Sequence, residues 1–269
     1  MLVMLTEIAA RNLALFFLVL AAIQVLAKEV GFALGRHHVK KPNFKDESVG
    51  VVSATIFGLL AFSLAFNLSL ASGRFGDRAE AALQEANAIG TLWLQASAVD
   101  HPRAAAIADL TKDYIASRKQ GIMAGWGDAE VGQAAAEVSR LQSEMWGHLT
   151  ALAQARIDPQ VTQLTGSMNA TFDSTTTMQN IMHRTTPAEV TWLLLGMTVV
   201  AMAVMGFQFA MNGHAHRLLG LTMILVWTSV LLVILDLGAA RIGDIRVDTW
   251  AYDTTISSMQ PIVIPVLAP

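Results

Sequence analysis

Three bulky apolar side chains recur at one helical interval in this chain: Phe62, Phe66 and Leu70, at i, i+4 and i+8. Beside them runs a second stripe of Ser63, Asn67, Arg74 and Arg78. At 100° per residue the two stripes form one wide face, with Leu59 at its start and Asp77 near its end. Such a face can do physical rather than bond-breaking work. Repeated around a symmetry axis, rings of Phe62, Phe66 and Leu70 make a hydrophobic constriction that gates by dewetting. Within one subunit, the same spacing serves helix packing instead. Arg74, Arg78 and Glu85 then read either as a charged ring at a pore mouth or as interfacial anchors with an Arg78–Glu85 pair at i, i+7. Asp77 shares the side of Phe66 and Leu70 and favours cations there, whereas Arg74 opposes it.

Two further groups of residues carry chemical potential. Asp236 ends an apolar run, where a carboxylate needs a partner, and Arg241 follows through a turn as the expected structural one. His37, His38, His214 and His216 fall in two loops expected on one membrane face, but they match no fixed metal-ligand spacing and read as solvated loop residues. No Gly-rich phosphate loop, HExxH or Gly-x-Ser-x-Gly is present. His148 and His183 lack a nearby nucleophile or carboxylate at useful spacing. The absence of cysteine excludes thiol nucleophiles, disulfides and thiolate metal sites. Neither catalysis, a cofactor nor a metal is expected, and the net charge of −3 gives no argument for nucleic acid.

The elements that position these residues are legible from composition. Hydrophobic residues make up 54% of the 269 and charged ones 14%, against about 25% charged in ordinary soluble domains. About 20 apolar residues in a helix cross the hydrocarbon layer. Val49–Ala71 offers 23 uncharged residues, Val190–Met211 offers 22 and Leu218–Leu235 offers 18. Asn12–Ala27 offers only 16, flanked by Arg11 and by Lys28 and Glu29, and spans if its ends snorkel. A signal peptide is the rival for this first segment. The expectation is an all-α membrane protein in contact with the lipid bilayer, with four transmembrane helices arranged two plus two. The boundaries read as 1–71 for the first pair, 72–187 for a helical extramembrane insert, 188–240 for the second pair and 241–269 for an extended tail.

Val49–Ala71 passes without a break into an amphipathic helix that fades near Ser97–Val99, so one rod serves both membrane and insert. Within the insert, Pro102–Met123 and Ala129–Arg156 read as helices. Asp158 caps a further helix towards Met182, weakened in the middle by Gly166 and Thr175–Thr177. Thr186-Pro187-Ala188-Glu189 reads as a capping box opening the third span. Gly206-x-x-x-Ala210 permits close helix approach, within or between subunits. The tail carries β-leaning segments, Trp250–Tyr252 among them, and Pro261 and Pro265 forbid helix beyond.

The rod resembles the second membrane helix of bestrophins, a family of pentameric ion channels, in its phenylalanines followed by Arg74–Phe75. It is more similar to bacterial bestrophin-like membrane proteins, through Arg74 and Arg78 followed by Glu85, Ala86, Asn87, Ala88, Ile89 and Gly90. After the last span, Asp236, Arg241, Gly243, Ile245 and Val247 also match, with Ala240 where a proline is expected. The resemblance implies a homo-oligomer, permeating ions, a bacterial inner-membrane location, and cytosolic termini and insert. Loop charges do not decide the orientation. Lys28, Arg36, Lys40, Lys41, Lys45 and Arg217 face one side, and Arg11, Arg74, Arg78, Arg184, Arg241 and Arg246 the other. Two functions compete: an ion channel constricted at Phe62, Phe66 and Leu70, and a non-conducting sensor or scaffold whose insert binds a partner or ligand.

Overall fold

The computed structural model describes residues 12–39, 47–124, 129–156, 158–184, 186–240, 243 and 245–260. Among them are eight helices: α1 Leu13–Val39, α2 Glu47–Ala98, α3 Pro102–Met123, α4 Ala129–Ala155, α5 Pro159–His183, α6 Ala188–Met211, α7 Arg217–Gly238 and α8 Trp250–Ser258. The protein is an all-α membrane protein. Four stretches are long and apolar enough to cross a bilayer: Leu13–Val39, Val49–Ala98, Pro159–Met211, whose apolar part is α6, and Arg217–Gly238. The chain divides into two compact units. The membrane unit comprises Met1–Phe75 and Thr185–Ile245, and the helical unit comprises Gly76–Arg184 and Arg246–Pro269.

In the membrane unit, α1 and α6 run parallel at very short range. A Cβ built on Gly31 would stand 1.8 Å from the Ala203 carbonyl oxygen, and one on Gly206 would stand 1.9 Å from that of Lys28. Gly35 meets Ala210 in the same way. The Gly206-x-x-x-Ala210 pair therefore serves contact within one chain. Here the clash is with backbone rather than with a flexible side chain. Gly206→Ala is expected to destabilise the unit by about 3 kcal/mol or more, because a packed backbone has no room to yield. Fluorescence-detected size exclusion after graded heating measures this; an unchanged melting profile would contradict the packing. The rest of the core joins Phe16 and Leu20 of α1, Leu60 and Leu64 of α2, Leu194 and Leu195 of α6, and Leu231 and Ile234 of α7.

The helical unit forms around the second half of α2. Ala86, Ile89, Leu92 and Ala96 are fully buried at helical spacing. Facing them are Ile107 and Ile115 of α3, Leu141 and Met145 of α4, and Leu164 and Met168 of α5. The starts of α3 and α5 follow their sequence signals. His101 Nδ1 accepts the Arg103 N–H at 3.1 Å ahead of Pro102, and Asp158 Oδ1 accepts the Val161 N–H at 2.9 Å ahead of Pro159.

Several expectations change. Helix α5 is unbroken through Thr175–Thr177, because Thr171 and Thr175 are buried and their hydroxyls are hydrogen-bonded, which outweighs weak propensity. The capping box at Thr186 does not form. Pro187 occupies the cap position without a side-chain bond, and the Thr186 hydroxyl accepts from Arg74 instead. Trp250–Tyr252 lies in helix α8, not in an extended segment. Its first N–H is taken by Asp248 Oδ1 at 2.9 Å and its Tyr252 is sunk in the core. His37 and His38 belong to the last turn of α1 rather than to a loop.

Candidate functional site

Helix α2 presents one face that stays exposed among the described residues. Leu59, Phe62, Phe66 and Leu70 are 57%, 68%, 56% and 44% exposed, whereas Leu60, Leu64 and Ala71 on the other side are buried. The spacing puts both sets on one helix, and the apolar core of the membrane unit takes only the second. The Phe62 and Phe66 rings stack at 6.4 Å between centroids. Between and beyond the large side chains the face is made of small residues: Ala61, Ala65, Ser69, Ser72, Gly73 and Gly76, all exposed. Asp77 is exposed on the same face.

The neighbouring polar stripe turns inward. Ser63 and Asn67 are half-buried, and Asn67 Nδ2 donates to the Ser63 carbonyl oxygen at 2.9 Å. Arg74 Nη1 donates to Thr186 Oγ1 at 2.5 Å, ahead of α6. Arg78 is 1% exposed, so it does not stand open on a rim of the folded chain.

Glu85 has partners that its spacing along α2 does not reveal. Arg118 of α3 donates to it through Nε at 2.6 Å and Nη2 at 3.1 Å. The Thr175 hydroxyl donates to Oε1 at 2.6 Å and the Tyr252 hydroxyl to Oε2 at 2.5 Å. Tyr114 shares a hydrogen bond of 2.7 Å with Thr175. Glu85 is thus a buried hub joining α2, α3, α5 and α8. Sequence spacing could not find it, since the partners lie 33, 90 and 167 positions away. One signal was available: the chain has two tyrosines, and both end at this hub.

Burial pushes both phenols above the ordinary tyrosine value of 10.0, and at Tyr252 the Glu85 carboxylate adds to the effect. The folded state therefore holds these protons more tightly than the unfolded chain does. Stability from the pair is complete below pH 10 and declines as the pH rises beyond it, because the unfolded chain ionises first. Melting temperatures of the wild type are expected to fall between pH 9 and pH 11. Tyr252→Phe, less stable at pH 8, is expected to fall less steeply; parallel slopes would contradict the assignment.

Asp236 is 5% exposed at the end of α7. Its Oδ1 accepts the Ile245 N–H at 3.3 Å. Gly243, at φ +81°, lies against the carboxylate so closely that a Cβ there would stand 2.3 Å from Oδ1. Arg241, its expected partner, lies outside the described residues. Among the described residues no three metal-ligating side chains converge. His214 and His216 stack at 5.6 Å, and His38 meets the edge of Phe207 at 5.8 Å.

No family model matches the chain, and no curated protein does. A solved structure does, the crystal structure of a protein described as a membrane protein. The likeness covers 92% of this chain and 97% of that one, with a TM-score of 0.64 at 12% identity. The two share a fold, and a shared fold by itself says nothing of activity.

Proposed function

We propose that the protein is a homo-oligomeric ion channel of bestrophin-like type, with α2 of each copy facing a common axis and Phe62, Phe66 and Leu70 forming the constriction. The observation that carries this is the exposed face of α2. Glycine inside a helix costs about 1 kcal/mol relative to alanine. A Cβ at Gly58, Gly73 or Gly76 would meet nothing within 4 Å, so packing within the chain gives no reason for them. Close approach to something outside the chain does, and lipid requires no such clearance. The change from Phe62 and Phe66 to Ser69, Ser72 and Asp77 along one face also fits a path that widens into water better than a lipid-facing surface. Asp77 at the wide end favours cations. Arg74, turned to Thr186, leaves that preference unopposed.

The bilayer in question is the bacterial inner membrane, with the helical unit on the cytosolic side. Native mass spectrometry of the detergent-solubilised protein tests the assembly. A ring of several copies is the expected result, and a monomer removes the pathway. Cross-linking between cysteines introduced at Ser69 of neighbouring copies places α2 at the axis; its absence in a confirmed ring would move α2 to the periphery.

A further inference from the structure

Helix α1 buries two polar side chains on the face formed by Phe16, Leu20, Gln24, Lys28, Gly31 and Gly35. Gln24 is 0% exposed and Lys28 4%, one helical turn apart. An ionisable residue enclosed in a membrane bundle marks a functional site until shown otherwise. The Lys28 stem lies on α7. Its Cδ, Cε and Nζ stand 3.0, 3.1 and 3.4 Å from where a Cβ on Gly220 would sit. Phe16 and Leu20 share a cluster with Leu231 and Ile234, so α1 and α7 run antiparallel. Gln24 therefore stands deeper than Gly220, at the level of Ile224 and Trp227. Both of these share an apolar cluster with Met202, Met205, Ala21 and Ala27.

Neither Gln24 Nε2, Gln24 Oε1 nor Trp227 Nε1 has a hydrogen-bond partner among the described residues. Buried polar atoms seldom stay alone. The Lys28 ammonium has three N–H groups and gives one to Glu29 Oε1 at 2.8 Å. The adjacent hydroxyls are committed elsewhere: Thr198 donates to the Leu195 carbonyl and Thr228 to that of Ile224. The unspent groups are thus mainly N–H donors beside a positive charge. The same end of the unit is basic, with Arg36, His37 and His38 closing α1 and Arg217 opening α7. Such a field concentrates anions at its mouth.

We infer that Gln24, Lys28 and Trp227 bind a small monovalent anion of the halide class between α1, α6 and α7. Glu29, with 44% of its side chain exposed, is the built-in competitor. It holds the ammonium when the site is empty and swings outward when an anion arrives. The site is separate from the α2 face, and its occupancy does not depend on conduction.

Thermal unfolding of the full chain in nanodiscs, in sodium chloride and in sodium gluconate at equal ionic strength, tests this. Chloride at about 100 times its dissociation constant is expected to raise the melting temperature by several degrees, by ligand linkage. Gln24→Leu and Lys28→Met are expected to abolish the chloride increment. Glu29→Gln, which leaves the packing intact, is expected to shift the chloride midpoint to several-fold lower concentration, and it reports even where the other variants do not fold. Equal melting in the two salts, as when water alone fills the site, would overturn the inference. So would a chloride increment that persists without Gln24 or Lys28, or a Glu29→Gln midpoint that is unchanged or raised.

Discussion

Replacing Phe62, Phe66 and Leu70 together with alanine is expected to raise the single-channel current in planar bilayers on the order of tenfold. A narrow apolar ring excludes water, so an ion crossing it must shed hydration that no protein group replaces. Removing three bulky side chains per copy widens and wets the passage. The folded chain should tolerate the change. All three side chains are exposed within it, and surface substitutions away from packed features shift stability by about 0.5 kcal/mol at most. A rise in current at unchanged melting temperature therefore reports on the pathway rather than on folding. If neither the wild type nor the triple variant conducts, the channel reading fails.

Arg118→Met is expected to destabilise the helical unit by about 3–5 kcal/mol, the largest single-site stability effect in that unit. The substitution takes two charge-assisted hydrogen bonds from the buried Glu85, and Thr175 and Tyr252 supply neutral ones. The arginine itself is not the source of the stability. Two charges taken from water cost nearly what their attraction returns, so the paired change Glu85→Leu with Arg118→Met should restore much of the loss. A double-mutant cycle read by denaturant melts measures this. A single Arg118→Met variant as stable as the wild type would contradict the burial of the pair. Loss of this hub also releases Tyr252, so limited proteolysis should reach the segment around α8 in the single variant before it reaches α3.

Much of the architecture was open to reading along the chain. Apolar length alone locates the spans, since no other element satisfies its backbone in hydrocarbon. Pro102 and Asp158–Pro159 mark their helix starts because caps act within one turn. The grouping of Phe62, Phe66 and Leu70 on one face of α2 was also legible, because helical period sets which residues lie together; its exposure was not, because the same spacing serves packing within a subunit. What escaped were matters that period and caps do not reach. A weak helical stretch at Thr175–Thr177 holds because Thr175 is buried and its hydroxyl is bonded to Glu85. A β-leaning Trp250–Tyr252 becomes helical because Tyr252 finds a carboxylate 167 positions away.

The sequence by itself determined that this is a membrane protein of four spans, with one helix, α2, continuing beyond its apolar half. Hydrophobic length and period are local properties, written in consecutive residues. Only the tertiary structure decided which charges meet. Arg118 of another helix holds Glu85, Arg74 turns to Thr186, and Gly206 admits α1 rather than a second copy. Charge pairs and backbone contacts depend on distances between elements far apart in the chain, and spacing along one helix carries no record of them.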